Sequence, residues 1–179
     1  MNIQPPVIEH MVEALAAGRT KRYHTRAMHD YQTVAAHSWG VAMLVLAITD
    51  TPSIDLLKAA LVHDLGEAKT GDVPATAKWD SGELAYLLDQ MEKYELLRMH
   101  LHVNLTVHDR RLLKFADILE LMNHVTDEML MGNRHAESML TNALDYSKDH
   151  LENHEDISED ELGNYLTLKA LICNKVNKP

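Results

Sequence analysis

Apolar positions recur along this chain at three- and four-residue intervals, the spacing of amphipathic helices. Pro5 and Pro6 precede a short helix over Val7 to Leu15, which Gly18 should stop. Thr33 suits an N-cap for a helix to about Thr49, with Val34, Val41, Leu44, Val45 and Ile48 as its stripe. Pro52-Ser53 starts the next helix, in which Ile54, Leu57, Ala60 and Leu61 share a face and lead directly into His63-Asp64. Gly71, Pro74 and Ala75 to Ala77 mark a turn and a short helix ending near Lys78-Trp79. Ser81 caps a long helix to about Leu101, whose Leu84, Leu87, Leu88, Met91, Leu96 and Met99 form a core or subunit-contact face. Asp109 opens another, through Leu112, Leu113, Ala116, Leu119, Leu121 and Val125 to Gly132. Two further helices run from about Arg134 to His154 and Ser158 to Val176, the second with Ser158 and Glu161 in capping-box spacing. With no strand pattern and no internal repeat, the expectation is all-α: a single-domain helical bundle of about six or seven helices over residues 1–179.

The periodicity fails between Arg19 and Gln32, a basic, aromatic-bearing stretch holding Lys21, Arg22, Tyr23 and Arg26. A loop of that length in a compact domain carries either function or a solvated connector, and its cations favour phosphate binding. The remainder is acidic: the net charge of −10 argues against a nucleic-acid polymer as ligand, though not against a small nucleotide. One cysteine, Cys173, cannot form an internal disulfide. No apolar run reaches membrane-spanning length, and Met1 to Pro6 lack a signal-peptide pattern. A cytoplasmic protein without membrane contact is the expectation.

Four residues break the helical stripes where a polar group is costly. His37 falls between Val34 and Val41; His63 and Asp64 emerge from the face of Ala59 and Ala60; Asp117 lies one turn from both Leu113 and Leu121. Taken singly, a core histidine is more often hydrogen-bonded than ligating, and Asp117 could pair with Lys114 or Lys78. Together, two imidazoles and two carboxylates suit a divalent ion such as Zn²⁺, Mn²⁺, Fe²⁺ or Co²⁺, with positions left for water and a phosphate oxygen. Glu67, three residues after Asp64, reads as sharing a side of the same helix.

The order His37, His63-Asp64, Asp117 resembles the HD-domain metal-dependent phosphohydrolases. Arg22-Tyr23, Thr33 to Ser38 and the run His63-Asp64-Leu65-Gly66-Glu67-Ala68-Lys69-Thr70-Gly71-Asp72-Val73-Pro74 are similar, more narrowly, to the YfbR-like 5′-deoxynucleotidases and their small bacteriophage relatives. The resemblance, from about Arg22 to Met139, implies an HD-type bundle and an enzyme acting on deoxynucleotides. It implies His37, His63, Asp64 and Asp117 as ligands of a divalent metal (Co²⁺, Mn²⁺, Zn²⁺ or Mg²⁺, a transition metal favoured). It implies Glu67 and Asp72 as the catalytic acidic pair, Arg22 at phosphate, Tyr23 beside the sugar where the family often has Trp, and Lys78 near phosphate.

The leading expectation is a phosphohydrolase removing 5′-phosphates from 2′-deoxynucleotides. It has two versions, a phage-type dATP triphosphohydrolase and a 5′-deoxynucleotidase confined to monophosphates. A cyclic-nucleotide or alarmone hydrolase fits the Arg22-Tyr23 and Thr70-to-Pro74 stretches less well. A non-catalytic nucleotide sensor leaves Glu67 and Asp72 without a use. The apolar stripes leave room for a homo-oligomer.

Overall fold

The computed structural model describes residues 8–151 and 156–176. The predicted helix start at Pro5 to Val7 and the stretch up to His154 lie outside them. Among the described residues the chain is helical, in the order α1 (Ile8–Ala17), α2 (Val34–Ile48), α3 (Ile54–Val62), α4 (Glu67–Thr70), α5 (Ala75–Asp80), α6 (Gly82–Arg98), α7 (Val107–Leu130), α8 (Ala136–His150) and α9 (Glu159–Cys173). Seven are longer helices; α4 and α5 span four and six residues.

Short polar side chains start these helices as the sequence suggests. The side-chain oxygens of Thr33, Ser53 and Ser81 accept from the N–H groups of Ala36, Leu56 and Leu84. Ser158 and Glu161 close a full capping box. The helix read as opening at Asp109 begins earlier, at Val107, because the Thr106 hydroxyl takes the N–H of Asp109 and is the true cap.

Helices α2 and α7 are central, with α3, α8 and α9 packed around them. Val41, Val45, Ile48, Leu56, Leu112, Phe115, Leu119, Met122, Val125 and Tyr165 form the main core. Phe115 and Tyr165 stack at 4.2 Å between centroids. Each large side chain buried here contributes about 1.5–3 kcal/mol. A smaller cluster of Ala17, Val34, Leu65 and Met99 ties the end of α1 and the end of α6 to the segment after α3. That segment carries the chemistry.

One expectation needs correction. His63, Asp64 and Glu67 do not share one helix: α3 ends at Val62, residues 63–66 form a turn, and Glu67 starts α4. Three-residue bonds replace the α-helical ladder there, with Leu65 N–H on Val62 O at 3.0 Å and Glu67 N–H on Asp64 O at 3.1 Å. The α6 stripe, read as a core or subunit-contact face, divides between core and exposed surface in this chain. Leu88 and Met99 are buried, whereas Leu84, Leu87 and Met91 are exposed, because α6 lies outside the α2–α7 core and turns that side outward.

Gly66 explains how α6 still closes on the turn. A Cβ at Gly66 would stand 2.6 Å from Glu92 Cα, a backbone atom of α6. Only the missing side chain allows that approach. No helix among the described residues is long and apolar enough to cross a membrane.

Candidate active site

His37 sits one turn into α2 and is fully buried. Its Nδ1 lies 2.5 Å from Glu120 Oε2, across from α7. A carboxylate only accepts, so Nδ1 carries the proton and Nε2 faces the other way. His63 is set the same way, with Nδ1 3.1 Å from the carbonyl of Ala60. Both Nε2 atoms are buried without a hydrogen-bond partner. The rings are 5.3 Å apart.

Asp117, from α7, closes the group: its Oδ1 is 3.3 Å from His37 Nε2. His37, His63 and Asp117 each bring a ligand atom within 4.8 Å of the others, a trio able to hold a metal ion. Asp64 adjoins it, with Oδ1 3.4 Å from His63 Nε2 and Oδ2 3.4 Å from His37 Nε2, while Arg22 Nη1 donates to Oδ2. The four residues read from the sequence as one constellation are therefore together. Buried imidazole nitrogens without partners, beside ionised carboxylates, suit a borderline divalent cation.

The local charges are strongly coupled. Burial opposes ionisation of Asp117, but Lys114 and His37 outweigh it and hold the carboxyl well below its usual range. Lys114 Nζ donates to Asp117 Oδ2 at 2.7 Å, so the ion pair weighed as an alternative to ligation exists alongside the histidine contact. Burial also opposes charge on His37, yet the carboxylates of Asp117 and Glu120 lift its pKa to about 9. Glu67 is buried at the start of α4, its Oε2 without a hydrogen-bond partner. Burial first, and the neighbouring Asp64 second, push its pKa up to about 8.

Asp72 has a second involvement. Its Oδ2 accepts the N–H of Tyr23 at 2.6 Å, and Tyr23 holds a left-handed backbone at φ 59°. A non-glycine residue stays in that region only when its surroundings hold it. The Tyr23 ring stacks on His124 of α7 at 5.0 Å, with 8° between planes, and the Arg22 guanidinium carbon lies 5.5 Å from the centroid of the Tyr23 ring. Thus the basic loop is a built element: Arg22 N–H bonds to Gln32 O at 2.8 Å, and Lys21 pairs with Thr33 in an isolated antiparallel bridge. Its far end is clamped by the buried Glu128, which accepts the N–H groups of His29 at 2.9 Å and Asp30 at 2.7 Å.

These groups open into a cavity of about 350 Å³. Arg22, Tyr23, Arg26, Asp64, Glu67, Asp72, Lys78 and Asp117 all line it, with Lys114 beside them. Lys78, from α5, also lies 3.6 Å from Glu92 Oε1. Apolar lining comes from α7 and α8 through Ile118, Leu121, Met139 and Ala143.

Glu120 escaped the sequence reading. It sits one turn after Asp117 on the buried side, accepts from Gln32 Nε2 at 2.6 Å and sets the His37 ring. Its signal was a second acid at three-residue spacing on an apolar face, together with Gly40, where a Cβ would meet Glu120 Cγ at 2.8 Å. His124, the platform under Tyr23, gave no such signal.

The sequence profile of the family described as 5′-deoxynucleotidase YfbR-like matches residues 17–158. No curated protein sequence matches the chain significantly. Among solved structures, the fold is similar to the cyanophage S-2L HD phosphohydrolase DatZ, bound to dA and one catalytic Zn²⁺ ion, at 24% identity and a TM-score of 0.74, covering 91% of this chain and 96% of that one. It is also similar to a conserved hypothetical protein from Pyrococcus furiosus, at 22% identity and TM-score 0.68 over 96% and 100% of the two chains. An HD-domain phosphohydrolase from Listeria innocua follows at 18% identity and TM-score 0.57, over 93% and 98%.

Proposed function

This chain belongs to the YfbR-like 5′-deoxynucleotidase family, and from that membership we propose that it is a metal-dependent phosphohydrolase releasing 5′-phosphate groups from 2′-deoxynucleotides, with dATP as the preferred substrate and deoxyadenosine as product. The observation that carries the reading is the convergence of two buried imidazole nitrogens without hydrogen-bond partners on Asp117 and Asp64, two carboxylates that line a cavity together with Arg22, Arg26, Lys78 and Lys114.

His37, His63, Asp64 and Asp117 are the residues that hold the cation, and their mixed nitrogen and oxygen donors suit Zn²⁺, Co²⁺ or Mn²⁺ better than Mg²⁺. A divalent ion there supplies Lewis acidity toward a phosphoryl oxygen and lowers the pKa of water. Glu67, with a pKa near the working range, accepts the proton of the attacking water and returns it to the leaving group. Asp72 fixes the backbone of Tyr23, and so the place of Arg22, while its carboxylate remains on the cavity. Arg22 and Lys78 neutralise the phosphate oxygens that gain charge in the transition state. Tyr23 packs beside the sugar.

The four cations that line the cavity, Arg22, Arg26, Lys78 and Lys114, support a triphosphate substrate. One observation favours the monophosphate version: Arg22, Lys78 and Lys114 already face Asp64, Glu92 and Asp117, which leaves Arg26 as the cation without a carboxylate partner among the described residues. The deciding experiment measures phosphate release from dATP, dAMP, the other deoxynucleotides and AMP. Metal-stripped protein is supplied in turn with Zn²⁺, Co²⁺, Mn²⁺ or Mg²⁺, and products are separated by chromatography. Deoxyadenosine formed fastest from dATP supports the triphosphohydrolase. Turnover confined to monophosphates replaces it with a deoxynucleotidase, and bound metal without turnover of any nucleotide replaces both with a sensor.

A further inference from the structure

The cavity has a chemically distinct side on α8. Helix α8 runs antiparallel to α7 after a short turn, as the approach of Lys114 near the start of α7 to Tyr146 near the end of α8 shows: Lys114 Nζ stands 5.7 Å over the Tyr146 ring. Lys114 is also the partner of Asp117, so Tyr146 marks the metal end of the α7–α8 groove. Asn142 lies one turn back along α8, about 6 Å by helix rise, and Met139 about one turn further. In an antiparallel pair this brings Asn142 level with Ile118 and Met139 level with Leu121, and all four line the cavity.

The groove therefore changes character within a helical turn. Its metal end is ionic; beyond that, Ile118, Leu121 and Met139 present apolar surface suited to a flat ring. In that apolar stretch stands the one carboxamide among the lining residues. The Asn142 side chain is exposed and hydrogen-bonds to nothing among the described residues. An amide offers a donor and an acceptor in one plane, the complement of adenine, whose N6 amino group donates beside the acceptor N7. Guanine presents two acceptors, O6 and N7, along the same edge.

We propose that Asn142 reads the base of the bound nucleotide and favours adenine over guanine by pairing its amide with the adenine N6 and N7 edge, between the apolar walls of α7 and α8. The proposal rests on the deoxynucleotide reading of the site, and adds to it a residue that selects among bases. It assigns Asn142 no part in phosphate release.

The test compares wild type with Asn142→Ala on deoxyadenosine and deoxyguanosine nucleotides of the phosphorylation state the enzyme accepts. The expected result is a fall of about tenfold in the adenine-to-guanine ratio of kcat/KM, carried by the adenine nucleotide. An unchanged ratio, or an equal loss on both nucleotides, overturns the proposal. A variant that merely loosened the fold would lower both rates together and leave the ratio in place. If wild type hydrolyses no nucleotide, the hydrolase reading falls by itself. Calorimetric affinities of deoxyadenosine and deoxyguanosine for the Zn²⁺-reconstituted protein then decide: a ratio that narrows in Asn142→Ala supports base reading, and an unchanged ratio or no binding overturns it.

Discussion

Glu120 Oε2 lies 2.5 Å from His37 Nδ1, and this contact between α7 and α2 decides which imidazole nitrogen turns toward Asp117. A histidine ring held by a carboxylate through one nitrogen is oriented and made more basic at the other. Replacing Glu120 by Ala should weaken Zn²⁺ affinity about 10–100-fold, with Gln retaining part of it through its carbonyl oxygen. Competition against a chromophoric chelator measures this. Equal affinities for wild type and Glu120→Ala would show that His37 needs no such support.

Glu67 and Asp64 should separate metal binding from turnover. Glu67→Ala is expected to keep the cation and lose most activity, about 10²–10⁴-fold for a missing acid–base group. Asp64→Ala should lose both. Metal content after dialysis, read beside initial rates, distinguishes the two. A near-normal rate in Asp64→Ala would remove the basis of the scheme.

Asp72 should show a mixed phenotype because it also holds Tyr23 at a positive φ. Without that acceptor the Tyr23 and Arg22 backbone relaxes. Asp72→Ala is therefore predicted to raise KM as well as lower kcat, whereas Glu67→Ala acts mainly on kcat. Steady-state kinetics on both variants tests the contrast, and an unaltered KM in Asp72→Ala would count against the anchoring role.

Glu128 gives a pH dependence with a definite sign. Burial raises its pKa, but the donors from Asn133, His29 and Asp30 outweigh burial and hold it below the usual 4.5. A carboxyl depressed on folding contributes stability that is complete above its unfolded pKa and is lost as pH falls through the folded value. The urea-unfolding difference between wild type and Glu128→Gln should thus be largest near neutrality and shrink below about pH 4.5. A difference that stays constant from pH 7 to pH 3 would mean that charge on Glu128 contributes nothing.

The glycines make opposite predictions. Gly66→Ala drives a Cβ to 2.6 Å from Glu92 Cα and should cost about 1–3 kcal/mol or more, since backbone must move. Gly163, inside α9 with nothing within 4 Å of its Cβ position, should gain about 0.5–1 kcal/mol when changed to Ala. Thermal midpoints of the two variants on either side of wild type would confirm both; a neutral Gly66→Ala would mean that α6 yields easily.

The helices were legible because their signals are local. Thr33, Ser53, Ser81 and Ser158 cap from one residue outside each helix, and apolar spacing marks the faces behind them. The metal-binding candidates were legible for the opposite reason, as polar residues where the pattern demands apolar ones. The turn at 63–66 was not, since Val62 to Leu65 contain no residue that forbids a helix and the break depends on how Leu65 and Gly66 meet α1 and α6. Glu120 was hidden by its type, because an acid on a long helix ordinarily faces water. For α6 the sequence left core and subunit contact open, because periodicity reveals that a face is apolar but not what lies against it.

The α7–α8 hairpin has a consequence for substitutions in the cavity wall. Asp117, Glu120 and His124 all belong to α7, whereas α8 brings to the cavity only Met139, Asn142, Ala143 and Tyr146, and none of these belongs to the trio that meets at the histidines. A substitution at Met139, Asn142 or Ala143 therefore reshapes the cavity wall without removing any member of that trio.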